Sequence, residues 1–198
     1  MGKLVEKHLL SKAGNNLDPA QSRLQFGFTR GCSPTYAAIM FTETVAEAKD
    51  NKQELYITLL DTAKAFDVVS HHSLLNALYQ QGVQDNVWQL FNSLYSDIHS
   101  SVKWNGTMSQ SFQEKQGIRQ GGASSADCYK AGKNQLLKTL DQKQSLRIGH
   151  LHVGAIMVAD DLARLSIKPS EMQIALNVAE LDASRERYRK TMTKPRSL

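Results

Sequence analysis

Apolar residues recur at helical spacing in several stretches of the chain, and polar or glycine-containing segments separate them. The first pattern predicts a short amphipathic helix over residues 3–12, which the polar residues and the proline of segment 15–19 should end. The second predicts a helix over residues 34–49, with a proline in its first turn, where a missing N–H does no harm. The inward faces are expected to be Leu4, Val5, Leu9 and Leu10 in the first helix and Tyr36, Ile39, Met40 and Thr44 in the second.

Helical patterns also occur in the later part of the chain. Ser70 or Ser73 is a suitable N-cap for a helix that Gly82 ends. Further helices are predicted over residues 87–98, over residues 124–140 and from Ser170 to about residue 188. Their apolar stripes are assigned to the protein core, with no role in holding a cofactor.

Short apolar runs between these helices predict strands. Residues 55–60 are all β-branched, aromatic or leucine, which indicates a buried strand that delivers Asp61 to its end. Asn105-Gly106 is a strong hairpin signal. Residues 154–166 form a second hairpin pattern, with Ala159-Asp160-Asp161 at its tip. This order of elements favours an α+β fold in which helices pack on one face of an antiparallel sheet.

Composition limits the class of protein. The chain has 198 residues, 41% of them hydrophobic, which suits one domain, or one domain and part of a second, with a sizeable core. Its net charge of +5 permits a polyanionic partner. Basic residues crowd the segment after Ser184, where they can touch a nucleic-acid backbone or form a frayed, solvated terminus.

Cysteine use and hydropathy indicate where the protein works. The two cysteines, Cys32 and Cys128, are far apart and outside any metal-ligand spacing, which indicates reduced thiols. No apolar stretch is long enough to span a membrane, and the N-terminus lacks a signal-peptide core. We therefore expect an intracellular protein, in the nucleus or the cytoplasm, with no membrane partner.

Two acidic stretches carry the candidate chemistry. Asp160 and Asp161 alone are typical of a solvated turn, but Asp61 gives the chain a second carboxylate at a strand end. If the strand and the hairpin are neighbours, the three carboxylates converge, and clustered acids usually hold cations. Oxygen donors without histidine or cysteine select Mg²⁺ or Mn²⁺. Two such ions suffice for phosphoryl transfer, so nucleotidyl transfer is the natural chemistry.

A glycine-containing segment between the acidic stretches adds nucleotide-binding candidates. In Arg119-Gln120-Gly121-Gly122 the glycines allow close approach to a ligand, Gln120 can donate to a nucleotide or template, and Arg119 can meet a phosphate. Phe66 can lie beneath the sugar of a nucleotide and exclude a 2′-hydroxyl, or it can be an ordinary core aromatic. His71 and His72 are interpreted as surface or capping residues, and Cys128 as a packing residue.

Taken together, these motifs resemble those of reverse transcriptases of non-LTR (LINE-like) retrotransposons. The stretch Leu60-Asp61-Thr62-Ala63-Lys64-Ala65-Phe66-Asp67 looks like motif A of that family, and Gly117-Ile118-Arg119-Gln120-Gly121-Gly122 looks like motif B. Motif C is matched by Val158-Ala159-Asp160-Asp161, and the fingers signature by Gln25-Phe26-Gly27-Phe28-Thr29-Arg30-Gly31. The helix from Ser170, followed by Thr193-Lys194, resembles motif D.

The resemblance implies a right-hand polymerase palm with partial fingers. Residues 1–53 would be partial fingers and connecting helices, and residues 54–198 the palm, with the thumb absent. The implied function is RNA-directed DNA synthesis, with an RNA template, a DNA primer, deoxynucleoside triphosphates and Mg²⁺ or Mn²⁺. The implied metal-binding catalytic residues are Asp61, Asp160 and Asp161; the nucleotide-binding residues are Phe66, Gln120 and Gly121; and the nucleic-acid contacts are Arg30, Arg119 and Lys194.

Departures from the family pattern keep two alternatives open. Val158 replaces an aromatic residue that many relatives carry, no proline follows motif B, and Lys194-Pro195 reverses the usual order. The segments that would precede Met1 and follow Leu198 in the family are expected to be missing. The chain can therefore also be an inactive remnant that at most binds nucleic acid, or an interaction domain whose acidic turns arose by chance. Protein partners are not predicted.

Overall fold

The computed structural model of the chain describes residues 2–142, 146–185, 190–192 and 196–197, the last two ranges by their backbone. The helices are α1 (Gly2–Ala20), α2 (Pro34–Asp50), α3 (His71–Gln80), α4 (Asp85–Tyr95), α5 (Ser125–Gln142) and α6 (Pro169–Arg185). The strands are β1 (Tyr56–Thr62), β2 (Ile98–Ser100), β3 (Lys103–Trp104), β4 (Thr107–Met108), β5 (Phe112–Glu114), β6 (Arg147–Ile148), β7 (Leu151–His152), β8 (Ala155–Val158), β9 (Asp161–Ser166), β10 (Lys190–Met192) and β11 (Arg196–Ser197).

The chain divides into two compact units. The first unit comprises residues 1–20 and 66–132, and the second comprises residues 21–65 and 133–198. In the first unit, α1 and α3 pack on α4, and strands β2 to β5 form a long hairpin with Asn105-Gly106 at its tip. The hairpin confirms the prediction from that dipeptide.

The second unit is built on an antiparallel sheet with the strand order β10-β1-β9-β8, in which β11 also pairs with β1. Strand β1 is central because both of its edges are paired, and its residues Thr58, Leu60 and Thr62 are buried. Helix α2 packs against β8, and α6 packs against β9. This arrangement confirms the predicted α+β fold with an antiparallel sheet.

Helix α1 differs from its prediction in length and in its buried face. It continues through segment 15–19 to Ala20, because Ala13 and Leu17 extend the buried stripe and Asn16 donates a hydrogen bond of 2.6 Å to the Gly82 carbonyl. Its buried residues are Glu6, Leu9, Ala13 and Leu17. The prediction that Leu4 and Val5 face inward is wrong, since both are exposed.

Helix α2 has the predicted bounds, and Ser33 caps it by accepting from the Tyr36 N–H. Its inward face was predicted only in part. Tyr36 and Ile39 are exposed, whereas Ala37, Thr44 and Ala48 are buried. Small residues let the helix axis approach the sheet closely, so the fully buried residues of α2 are its smaller ones, while Met40 and Phe41 pack partly buried against the same core. Among the described residues, no helix is long and apolar enough to cross a membrane.

Candidate active site

Asp61 and Asp161 are opposed residues at one end of the β1–β9 pair. The antiparallel register pairs Leu60 with Leu162, so the next opposed residues are Asp61 on β1 and Asp161 on β9. Opposed residues of antiparallel strands project to the same face of the sheet. Both aspartates are exposed, which leaves their carboxylates accessible. The sheet therefore brings together the two acidic stretches of the sequence.

Asp160 lies in the turn between β8 and β9, beside Asp161. The pair Val158–Asp161 closes this turn, so its loop consists of Ala159 and Asp160, with Ala159 in the left-handed region at φ 59°. Partial burial raises the pKa of Asp161, and the negative charges of Asp160 and then Asp61 raise it further. The charges of Asp160 and Asp61 thus act on the Asp161 carboxyl. We call residues 158–161 together with Asp61 the carboxylate hairpin.

Gln25 holds the tip of the carboxylate hairpin. Its side chain is buried, with 1% of its surface exposed. The amide nitrogen donates to the Ala159 carbonyl at 3.0 Å, and the amide oxygen accepts from the Ala159 N–H at 3.1 Å. The same oxygen accepts from the Gly27 N–H at 2.8 Å. Both ends of one neutral side chain therefore fix the turn residue that precedes Asp160.

The backbone around Gln25 also runs directly against the hairpin. The Met157 N–H donates to the Leu24 carbonyl, and the Phe26 N–H donates to the Met157 carbonyl at 2.7 Å. A Cβ atom on Gly27 would lie 2.1 Å from the Ala159 nitrogen, which is too close for any side chain. Only glycine fits there, because the neighbouring atoms belong to the backbone and cannot rotate away.

An apolar cavity of about 590 Å³ borders Asp61 and Asp161. Its walls come from α2, through Ala37 and Phe41, and from the sheet, through Leu59 and Val158 among others. Apolar walls lower the local dielectric and strengthen electrostatic interactions of nearby charges. This environment is consistent with the raised pKa of Asp161.

The second group of predicted residues lies in the first unit, on the segment 117–124, which we call the glycine loop. Its start is tied to the end of motif A and the residues after it: the Ile118 N–H donates to the Phe66 carbonyl, and the Gly117 N–H donates to the Val69 carbonyl, each at 2.8 Å. Gly117 and Gly121 have φ values of 100° and 75°, which favour glycine. The loop therefore has a defined conformation.

His71 contributes to the same anchorage. It is 6% exposed, and its Nε2 forms a hydrogen bond of 2.8 Å with the Gly117 carbonyl. The prediction that His71 is a surface or capping residue is wrong, because this contact with a segment distant in sequence buries the ring.

Phe66, Gln120 and Gly121 are neighbours in the first unit. The Phe66 ring is half-buried and stacks on Tyr129, with centroids 4.9 Å apart and planes inclined by 19°. Gln120 is exposed and donates to Asp67 at 3.3 Å. Arg119 and Gly121 are also exposed. A rigid aromatic ring and an accessible amide thus belong to one unit, and the carboxylates to the other.

The remaining predicted residues are less informative. Arg30 is exposed in the segment before α2, and Lys194 lies outside the described residues. Cys128 is 1% exposed, and burial raises the pKa of its thiol to about 12, which fits the predicted packing role.

The sequence did not reveal two supporting side chains: Gln25, which binds the Ala159 backbone, and Glu6, which accepts from Ser124. The motif Gln25-Phe26-Gly27 was recognised as a signature, but nothing in it indicates which backbone the amide binds.

The carboxylate hairpin has suitable donors for a hard cation. Its three side chains offer oxygen atoms, and a positive ion would relieve the repulsion that, after burial, adds to the raised pKa of Asp161. Within the described part of the chain, no three histidine, cysteine, aspartate or glutamate side chains are already gathered as a closed metal cluster. The donor chemistry fits a divalent cation, and binding would require these side chains to draw together.

Comparisons with known proteins agree with this geometry. The family model described as "Reverse transcriptase (RNA-dependent DNA polymerase)" matches residues 1–194. A Pol polyprotein from the type-2 retrotransposable element R2DM of Drosophila melanogaster is 27% identical over 164 residues, or 82% of this chain and 15% of that protein. One from the type-1 element R2 of Nasonia vitripennis is 26% identical over 141 residues, or 71% of this chain and 14% of that protein. The chain thus spans about a seventh of the length of these relatives.

The fold is also similar to that of solved telomerases. Apo telomerase from Candida tropicalis, truncated from its C-terminal domain, superposes with a TM-score of 0.71 at 14% identity, covering 97% of this chain and 40% of that chain. Telomerase from Candida albicans, solved with a TWJ fragment of telomeric RNA, gives a TM-score of 0.62 at 14% identity, covering 98% of this chain and 35% of that chain. The family match over nearly the whole sequence, together with this fold, establishes that the chain belongs to the reverse transcriptase family and that its relatives are Pol polyproteins of R2 non-LTR retrotransposons.

Proposed function

We propose that this chain is the polymerase core of a non-LTR retrotransposon reverse transcriptase, which adds deoxynucleotides to a primer 3′-hydroxyl along an RNA template. The observation that carries the proposal is the opposition of Asp61 and Asp161 across β1 and β9, with Asp160 in the adjoining turn. Phosphoryl transfer depends on positioned charge rather than on a covalent protein intermediate. Three carboxylates at one end of paired strands suit that requirement.

Asp61, Asp160 and Asp161 are the residues that would hold Mg²⁺ or Mn²⁺. Polymerases of this family generally use divalent metals. Bound at these carboxylates, such ions supply a lowered pKa for the attacking hydroxyl and charge compensation for the leaving pyrophosphate. The protein's own contribution is to fix the backbone beside Asp160 through Gln25 and Ala159, so that binding needs movement of the carboxylate side chains and not of the turn.

The glycine loop and Phe66 are the residues that would select the nucleotide. Gln120 and Gly121 stand exposed at the loop apex, where an amide and an open backbone can contact a nucleotide. Phe66 is held by its stack on Tyr129, so its ring cannot easily turn away from a 2′-hydroxyl. This rigidity supports the preference for deoxynucleotides. Exposed Arg30 and Arg119 would contact phosphates, and Lys194 is proposed for the same role on its motif alone.

An RNA template and a DNA primer are the proposed macromolecular partners. The net charge of +5 favours association with a polyanion. We assign residues 54–198 to the palm and residues 1–53 to partial fingers. Each compact unit contains residues from both of these ranges. Copying RNA into DNA for insertion in a genome would place the protein in the nucleus or the cytoplasm.

Primer extension tests the proposal. The full chain is incubated with an RNA template, an annealed DNA primer, deoxynucleotides and Mg²⁺, beside the variants Asp160→Ala and Asp50→Ala, the second at an exposed helix end. We expect extension by the wild type and by Asp50→Ala, and none by Asp160→Ala. If the folded wild type binds primer–template in a salt-dependent manner but never extends it, the chain is a nucleic-acid-binding remnant and the proposal fails.

A further inference from the structure

Glu6 is a buried carboxylate whose partner lies at the far end of the glycine loop. It is 6% exposed, on the face of α1 that also buries Leu9 and Ala13. Its Oε2 accepts from the Ser124 N–H at 3.0 Å and from the Ser124 hydroxyl at 3.3 Å. Ser124 is 2% exposed. Burying a carboxylate costs free energy unless charge-assisted hydrogen bonds compensate it, so this contact is specific.

The glycine loop that Glu6 contacts is also held by hydrogen bonds within the loop itself. The Arg119 carbonyl accepts from the Gly122 N–H at 3.1 Å and from the Ser125 hydroxyl at 2.5 Å, which folds residues 119–125 into a compact turn. A Cβ atom on Gly122 would lie 2.5 Å from the Ser125 Oγ and 3.0 Å from Glu6 Oε2. The loop therefore passes directly against Glu6.

Glu6 also holds the loop at the point where α5 begins. The Ser124 carbonyl accepts from the Cys128 N–H at 2.9 Å, which is the helical pattern that opens α5. Tyr95 and Cys128 belong to the same buried polar cluster: burial is the main cause of their raised pKa values, and the charge of Glu6 adds to both. Thus one side chain of α1 fixes the end of the glycine loop, whereas Phe66, Val69 and His71 fix its start.

We infer that Glu6 is a positioning residue for the glycine loop, which holds the exposed apex with Gln120 and Gly121 in the conformation that receives the incoming nucleotide. The inference rests on the proposed function for its kinetic consequence, but not for the contact itself. Replacing Glu6 by Gln keeps an oxygen that can accept from the Ser124 N–H and removes the charge. Replacing it by Ala leaves that buried N–H without its acceptor.

The test measures both hydrogen exchange and extension in the full chain. For Glu6→Ala we expect faster amide exchange confined to residues 119–125, no change in residues 56–62 of β1, and a rise of about tenfold in the KM for deoxynucleotides. The Kd for primer–template should change by about twofold or less, because Arg119 is only one of the three basic residues assigned to phosphates. Glu6→Gln should give a smaller change of about threefold or less, since one hydrogen bond survives. Glu43→Gln, on the exposed side of α2, is the matched control and should match the wild type.

Two results would overturn the inference. One is exchange in residues 119–125 and a nucleotide KM that both stay at wild-type values in Glu6→Ala. The other is faster exchange spread evenly over the chain in both Glu6 variants, which would make Glu6 a general stability residue. If the wild type does not extend primers at all, the proposed function fails, and exchange alone then decides whether Glu6 holds the loop.

Discussion

The carboxylate hairpin and the glycine loop are both tight turns with a buried supporting side chain, and these two side chains, Gln25 and Glu6, differ in charge. Gln25 supports Ala159 from 134 positions away in the sequence, and Glu6 supports Ser124 from 118 positions away. Beside three carboxylates, a neutral amide can donate and accept without adding negative charge. Ser124 presents only donors to Glu6, its N–H and its hydroxyl. A carboxylate accepts from them more strongly than a neutral amide would. The local charge thus determines which side chain can support each turn.

The largest expected effect on primer extension comes from adding a side chain at Gly27, which lies against the carboxylate hairpin. In Gly27→Ala, the new Cβ must displace the backbone of Ala159, because it would lie 2.1 Å from that nitrogen. We expect primer extension to fall by about a hundredfold or more and the free energy of unfolding to drop by roughly 2 kcal/mol. The measurements are kcat/KM for extension and denaturant unfolding.

Gly14→Ala is the control for that change. Gly14 lies within α1, and apart from the surrounding helix backbone no atom lies within 4 Å of the position that a Cβ would take there. Alanine should therefore stabilise the protein by about 0.5–1 kcal/mol and leave extension unchanged. Near-normal extension by Gly27→Ala would show that the hairpin tip tolerates displacement and does not depend on a fixed position of Ala159.

Exchanging the charge of the two supporting side chains sharpens the comparison. Gln25→Glu can still accept from the Ala159 N–H, but it cannot donate to the Ala159 carbonyl and adds a fourth acid beside the site. We expect kcat/KM to fall by about ten- to a hundredfold, more than in Glu6→Gln. Extension assays on the two variants in parallel decide the order. Equal losses would mean that charge does not distinguish the two turns.

A third prediction concerns only the nucleotide side of the comparison. Truncating the ring in Phe66→Ala removes the surface stacked on Tyr129 and opens space for a 2′-hydroxyl. The preference for deoxynucleotides over ribonucleotides should fall by about tenfold or more, measured as the ratio of kcat/KM values. Phe112→Ala, at an exposed position of β5, should keep the wild-type ratio. An unchanged ratio in Phe66→Ala would assign this ring to packing alone.

The smallest expected effect is on stability, at Asp161. Because its pKa is raised in the folded protein, the folded state binds the proton more tightly than the unfolded state does, and stability falls as pH rises through that pKa. Asp161→Asn should therefore melt about one to two degrees higher than the wild type at neutral pH, and the difference should vanish in acid. Mg²⁺ should raise the melting temperature of the wild type more than that of Asp161→Asn. A pH-independent difference would contradict the raised pKa of Asp161.

Much of the fold was predictable because it follows from local patterns. The bounds of α2, the hairpin at Asn105-Gly106 and the acidic hairpin were predicted from periodicity and turn residues, and the structure confirms them. The buried face of α1 was not predictable in this way, because Leu4 and Val5 are as apolar as Leu9 but are exposed, whereas Leu9 is buried. Which of these positions meets α4 depends on how the helices pack, which a single helical pattern does not specify.

By itself, the sequence predicted the candidate chemistry from three acidic residues on a strand and a turn, a glycine-containing loop with an amide, and an aromatic residue after the first acid. The order of these motifs also identified the family that the comparisons establish. Only the tertiary structure decided that Asp61 opposes Asp161, that Gln25 rather than another polar residue supports Ala159, and that Glu6 ends on Ser124. These contacts join residues more than a hundred positions apart or on separate strands, and such contacts depend on the packing of whole elements and not on the residues beside them in the chain.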